Sequence, residues 1–302
     1  MTYLNKNDGD LDLFDIISIL WSKKVFIASI TAFFAISSIV ISLSLPNIYK
    51  SEALLMPQEQ TNNMGGMLGQ YSGMASLAGI SIPTETSTKS QEAISRIRSF
   101  EFFSKHFLPK INFVDLVAVK RWNSDSNEII YNKKIYNPDT GKWVGKTKTE
   151  QEAYKSYIKS LSVIEDKKTS FVILSTKHKS PYIAQQWTNI IIDEIHSSMR
   201  EQDKEEATKS IEFLNGILSS KTVQYDEVRK ALSSLQQEQM KQLMMIEANE
   251  DYIFSVLDSP IVPELKSEPS RSIIVILVTF LGFIISVIYS LINFYSKARN
   301  KI

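Results

Sequence analysis

Two unbroken apolar runs stand at opposite ends of the chain, and the positions between them alternate with helix and strand periods. Residues 273–295 carry no charge over about 23 positions and are rich in Ile, Leu, Val and Phe. At about 1.5 Å of rise per residue, a helix of that length crosses a hydrocarbon layer of about 30 Å. Arg271 in front, and Lys297, Arg299 and Lys301 behind, fence the run where headgroups would lie. Residues 25–45 form a second uncharged run, longer than a signal-peptide core, and the leader before it holds Asp8, Asp10, Asp12 and Asp15. Both runs therefore predict membrane helices, the first an uncleaved anchor. In the leader, residues 1–24, Leu11, Leu13, Phe14, Ile16, Ile17, Leu20 and Trp21 fall at helical spacing and predict an amphipathic segment along a membrane surface.

Residues 48–56 alternate like a strand that Pro57 stops, and residues 62–83 form a weakly apolar loop with Gly65, Gly66, Gly69, Gly73 and Gly79. Thr88 and Gln91 have the spacing of a capping box before a helix whose face is Ile94, Ile97, Phe100, Phe103 and Phe107, ended by Pro109. Residues 115–148 are polar and aromatic. There Trp122, Tyr131, Tyr136 and Trp143 read as anchors of surface loops, with stacking on sugar rings as the other reading. The stretch 141–147 imitates a phosphate loop, but it has three residues between its glycines where that loop needs four. Thr149 and Glu152 make a second capping box, and residues 161–164 and 171–176 predict a hairpin around Glu165, Asp166, Lys167 and Lys168.

Ser180 caps and Pro181 opens a helix with the inner face Ala184, Trp187, Ile191, Ile195 and Met199. From about 203 to 249 helix formers run without proline. Ile211, Leu214, Leu218, Tyr225, Val228, Leu232 and Leu235 give a heptad-like stripe, with Gly216 a weak point in it. One helix of that length would reach about 68 Å, against a diameter of about 45 Å for a compact globule of the intervening size. The expectation is a protruding helix whose stripe is buried in a homo-oligomer. Residues 252–257 read as a last strand, paired with the first, and Pro260, Pro263 and Pro269 stiffen the return.

The charge pattern sets an orientation. Lys23 and Lys24 precede the first span against Lys50 after it, and Lys297, Arg299 and Lys301 outnumber Lys266 and Arg271 at the second. Both termini are thus expected in the cytoplasm. The expected division is a cytoplasmic leader 1–24, a transmembrane helix 25–45, an outer (periplasmic) domain 46–272, a transmembrane helix 273–295 and a cytoplasmic tail 296–302. Small residues line each span, Ala28, Ala32, Ala35 and Ser42 in the first and Gly282, Ser286 and Ser290 in the second, a spacing that lets helix backbones approach closely, so the spans are expected to pack on each other or on a membrane partner.

The formal charge of +1 gives no bias toward nucleic acid, and the lack of cysteine excludes a disulfide framework or a thiolate metal site. His106, His178 and His196 are not in metal-spaced pairs, and no nucleophile elbow, zinc-protease helix or dinucleotide fingerprint occurs. The chain is expected to be no enzyme and to use no cofactor.

Several stretches, in this order, resemble the Wzz chain-length determinant family: Leu11-Asp12-Leu13-Phe14, Ser51-Glu52-Ala53-Leu54-Leu55, Lys168 through Ser175, Ser180-Pro181-Tyr182-Ile183-Ala184 with Trp187, Met199-Arg200-Glu201-Gln202-Asp203, and Pro263 to Pro269 before Arg271. The resemblance implies an α+β protein, with two transmembrane helices flanking a periplasmic domain that has a small membrane-proximal mixed α/β base and a long protruding helix. It also implies an oligomeric, non-catalytic polysaccharide co-polymerase of the bacterial inner membrane that sets the modal length of O antigen made by a Wzy-type polymerase. Its partners would be further copies of itself, that polymerase, membrane lipid and the growing polysaccharide, with no nucleic acid. The alternative is the membrane component of a capsule or exopolysaccharide system working with a separate tyrosine kinase. A periplasmic sensor, a reading of another class, would need a cytoplasmic output module, and none is expected from this sequence.

Overall fold

The computed structural model describes residues 17, 20–58, 89–219, 226–249 and 251–299. Most of the leader, the glycine-rich stretch 62–83, Thr88 of the first capping box, Tyr225 and residues 300–302 lie outside the described residues. The chain separates into two units, one made of residues 1–47 with 266–302, the other of residues 48–265.

In the first unit α1 (Lys24–Ser44) is continuous across the apolar run. The second unit begins with β1 (Tyr49–Pro57), which has Ser51, Ala53 and Leu55 buried on one face and Glu52 exposed on the other. Helix α2 (Lys89–Ile97) follows and buries Ala93 and Ile97. The apolar face expected to continue to Phe107 does so through a break. Ser99 accepts from the Phe102 amide at 3.1 Å and restarts the helix at Phe100, after which a π turn (Phe103–Phe107) and a 3-10 turn (Leu108–Lys110) end it at Pro109. The wider turn brings Phe103 and Phe107 to the same side, both fully buried, whereas Phe100 is left 41% exposed.

Residues 115–148, expected as loops, hold two small antiparallel ribbons, β2 (Val119–Asn123) with β3 (Glu128–Tyr131) and β4 (Tyr136–Asn137) with β5 (Lys142–Trp143). Gly141 sits at φ +67, the left-handed conformation that the turn between β4 and β5 requires. Aromatic contacts tie these ribbons together: Tyr131 of β3 lies 5.6 Å from Tyr136 of β4, which lies 5.4 Å from Trp143 of β5. The second capping box is formed as read, with Thr149 accepting from the Glu152 amide and Glu152 accepting from the Thr149 amide at the start of α3 (Glu150–Ser160).

Strands β6 (Leu161–Glu165) and β7 (Val172–His178) form the expected hairpin, closed by the Lys168 amide donating to Asp166 Oδ1 at 2.8 Å. Helix α4 (Pro181–Ser219), α5 (Asp226–Ala248) and β8 (Phe254–Asp258) complete the unit. The sheet order is β6-β7-β1-β8 with every pairing antiparallel, so the first and last strands are neighbours. The α+β class follows from this arrangement. Ala53 lies opposite Leu174 and Leu55 opposite Val172, which puts the buried positions of both central strands on one face. That face receives α4. Thr176 Oγ1 donates to the Ala184 carbonyl at 2.7 Å, and Trp187, Ile191, Ile195 and Met199 are all buried as their spacing predicts. Phe107 meets Tyr157 at 4.7 Å and Trp187 at 5.7 Å, an aromatic knot in which each buried ring contributes about 1.5–3 kcal/mol.

The single helix expected over 203–249 is not what forms. Helix α4 runs on without interruption from the sheet to Ser219, 39 residues or about 58 Å, and α5 then returns along it. Lys204 pairs with Glu247 at 2.6 Å, and further out Gln236 donates to Asn215 at 2.7 Å, so the two helices are antiparallel. The stripe therefore finds most of its partner within the chain. The charged run 200–206 does not end a helix, because Asp203 and Ala207 continue the buried face begun by Met199.

Helix α6 (Arg271–Arg299) closes the first unit and packs against α1. Phe26 stacks on Tyr289 at 5.5 Å, while Gly282 faces Phe34, so this pair too is antiparallel. Lys24–Ser44 and Arg271–Phe294 are each long and apolar enough to cross a membrane, and their outward residues, such as Phe33, Ile36, Ile276 and Phe280, are exposed.

Candidate functional site

Three features could carry function: the root of the α4/α5 hairpin, the hairpin's surface, and the paired apolar helices. At the root, Asp203 projects from α4 into the protein and is 8% exposed. Its Oδ2 accepts from both Lys89 Nζ, at the start of α2, and the Tyr252 hydroxyl, just before β8. Lys89 also reaches the Tyr252 oxygen at 3.3 Å and lies 5.5 Å from the Tyr252 ring centre. Three separated segments are thus tied where the hairpin leaves the sheet. The motif at 199–203 was legible as a resemblance, but the chemistry of Asp203 was not. Its four-residue step from Met199 and to Ala207 was the available signal.

On the hairpin, the residues expected to form one oligomer face divide. Leu214 is buried between the helices, Ile211, Leu218 and Leu232 are half-buried, Val228 and Leu235 are exposed, and Tyr225 lies outside the described residues. Apolar side chains that the heptad reading did not select are the most exposed there: Phe213 at 69% and Met244 at 70%, with Met240 and Met245 beside them. The remaining apolar surface is therefore shared between the outer part of the stripe, at Val228 and Leu235, and residues outside it.

In the helix pair, Gly282, Ser286 and Ser290 face α1 and are buried. Ser286 donates back to the Phe283 carbonyl at 2.7 Å, so its hydroxyl is satisfied within α6. The complementary face of α1 consists of Ile27, Phe34, Ser38 and Ser42. Ala28 and Ala32 are exposed and Ala35 is half-buried, so the structure does not bring the alanines as a set against the second helix. Bulky Phe34 meets glycine, and the small residues of the two helices do not simply oppose one another.

The histidines are structural. His178 is buried between Trp187, 4.8 Å away, and the turn that starts α4. Its Nδ1 accepts from the Ser180 amide at 2.9 Å, so the proton resides on Nε2, which donates to the Asp115 carbonyl at 3.1 Å. Burial depresses its pKa to about 4. His196, which accepts from the Ile253 amide through Nδ1, is shifted down by burial too, and His106 lies 3.6 Å from Glu194. Among the described residues no group of three His, Asp, Glu or Cys side chains could hold a metal ion.

A pH dependence follows from His178. The unfolded imidazole takes a proton near its ordinary value of 6.5 and the folded one only near 4. Its stabilising contribution is therefore complete above about 6.5 and is lost as pH falls toward about 4, a loss on the order of 2–3 kcal/mol. Urea midpoints of the full chain measured at pH 7, 5.5 and 4 should fall more steeply for the wild type than for His178→Gln, which keeps a donor and an acceptor but does not titrate. Equal slopes would mean that this ring does not govern the acid limb.

Residues 9–105 match the family model described as Wzz, chain length determinant protein, so the family read from the residues is recognised in the first third of the chain. Among solved structures, the chain is similar to a full-length bacterial polysaccharide co-polymerase at 15% identity, covering 96% of this chain and 99% of that one, with a TM-score of 0.40. It is also similar to a fragment of WzzB, a polysaccharide co-polymerase from Salmonella Typhimurium, at 13% identity, covering 74% of this chain and 100% of that one, with a TM-score of 0.29. No curated protein matches the chain by sequence.

Proposed function

We propose, from the Wzz match over residues 9–105 as premise, that this chain is an inner-membrane polysaccharide co-polymerase that sets the modal length of O antigen made by a Wzy-type polymerase. It acts as an oligomeric scaffold and makes no bonds itself. The observation that carries the reading is this family match, which begins in the leader and runs through α1 and β1 into α2 and the turn after it. The architecture supports it, since two helices fit for a bilayer precede and follow, along the chain, a unit in which a helical hairpin extends from a sheet. The excess of lysine and arginine at 23–24 and 297–301 supports cytoplasmic termini and a periplasmic position for residues 46–272. Exposed Phe213, Val228, Leu235 and the three methionines support contact with further copies or with the polymerase, because apolar side chains clustered on a protruding hairpin are costly to leave in water.

The decisive experiment is a gel of surface lipopolysaccharide from a deletion strain. Deletion is expected to turn a clustered distribution of chain lengths into a graded one, and the plasmid-borne gene to restore the cluster. Unchanged banding, above all if capsule or secreted polysaccharide changes instead, would overturn the O-antigen assignment.

A further inference from the structure

A cleft opens at one end of the helix pair, between the last turns of α1 and the first turn of α6, with a volume of about 330 Å³. Its walls are hydrocarbon, from Ile39, Leu43, Val275 and Ile276, and Ser42, Arg271 and Ser272 complete the lining. Ser42 is 1% exposed, yet its hydroxyl has no hydrogen-bond partner. On the same helix Ser29, Ser38 and Ser44 each donate back to a carbonyl of their own helix, so the orphaned hydroxyl of Ser42 is not a habit of the sequence. The Arg271 guanidinium is held in place by Nη2 donating to Asn47 Oδ1 at 3.0 Å, which leaves its buried Nε without a partner. Arg271 is also the first residue of α6, and no acidic side chain lies in that first turn to offset the positive end of the helix dipole.

These groups all ask for an anion, and the walls ask for a hydrocarbon chain. A free inorganic anion would satisfy Arg271 and gain nothing from the apolar walls, whereas a bilayer presents both chemistries on one molecule. We propose that the cleft is a binding site for an anionic phospholipid. Its phosphate accepts from Arg271 Nε, the Ser42 hydroxyl and the first-turn amides of α6, while one acyl chain lies along Ile39, Leu43, Val275 and Ile276. This rests on the reading that α1 and α6 lie in a bilayer, and it adds to that reading a specific lipid contact at the end of the pair.

The test uses the full chain in nanodiscs of mixed phosphatidylglycerol and phosphatidylcholine, with retained lipid counted by native mass spectrometry. The wild type should retain phosphatidylglycerol in preference. Arg271→Gln should lower that preference about tenfold, the loss expected for one charge-assisted contact. Ser42→Leu, which fills the cleft without altering charge, should lower it comparably. A wild type without preference overturns the site, and needs no variant to fold. Loss in Arg271→Gln with full retention in Ser42→Leu overturns it as well, since that pattern reports surface charge rather than a cleft. Titration of inorganic phosphate into chain held in phosphatidylcholine alone should give no binding that depends on Arg271, and such binding would overturn the lipid as occupant. A chain that alkaline carbonate strips from membranes would overturn the bilayer reading itself, whereas one that stays embedded without lipid preference overturns only the cleft.

Discussion

Asp203→Ala is expected to lower the stability of the sheet-and-hairpin unit by about 3–5 kcal/mol, the cost of leaving a partly buried ammonium and a buried phenol without their acceptor. Tyr252 is 2% exposed, and the Lys89 side chain keeps about a quarter of its surface, so water can repay little of the loss at the hydroxyl and only part of it at the ammonium. Tyr252→Phe removes the hydrogen bonds that its hydroxyl makes with Asp203 and Lys89 and should cost about 1–3 kcal/mol. The double replacement Lys89→Met with Asp203→Leu removes both charges and should recover much of what Asp203→Ala loses, because the pair's attraction is spent largely on its own desolvation. Urea unfolding of the full chain followed by tryptophan fluorescence checks the series, with Trp187 in the core as reporter. An Asp203→Ala variant within 1 kcal/mol of wild type would show that the three segments are not held together here. Since the clamp lies where α4 leaves the sheet, its loss should also loosen the hairpin and broaden the chain-length distribution under the proposed function.

Gly282→Ala should pry the apolar helices apart. A β-carbon built at this position would lie 2.6 Å from both Cβ and Cγ of Phe34, the root of that side chain rather than its movable end, so relief has to come from the backbone. Overpacking of this kind costs about 1–3 kcal/mol, and Gly282→Leu should cost more. The chain has no cysteine, which makes distance measurement direct. Spin labels at Ile41→Cys and Ile273→Cys, both on the exposed side of their helices, should move apart in the Gly282→Leu background. An unchanged distance would mean that the helices do not meet through this glycine.

Several local signals were read correctly because their chemistry is local. The capping box at Thr149 and Glu152, the turn at Asp166, the Pro181 helix start and the inner face from Ala184 to Met199 each depend on residues within a turn or two of one another. The break at Ser99 and the π turn after it were missed, because Ile97, Phe100 and Phe103 keep helical spacing straight across them. The ribbons in 115–148 were missed for a related reason: two-residue strands such as β4 and β5 are too short to show an alternation. The candidate packing residues lie in different surroundings. Gly282, Ser286, Ser290 and Ser42 are buried, whereas Ala28 and Ala32 are exposed, since spacing selects a stripe and a 21-residue helix offers several.

The sequence by itself determined that two stretches are long and apolar enough to cross a bilayer, and where the strands of the main sheet and the inner face of α4 lie between them. Each of these depends on composition and period along one dimension. Only the tertiary structure decided that the stripe of residues 203–249 folds back on its own chain, that Asp203 is an interior clamp, and that Ser42 and Arg271 share a cleft. An apolar face states that it will be buried and says nothing about what covers it, and groups 49 or 229 residues apart leave no periodic trace of their meeting.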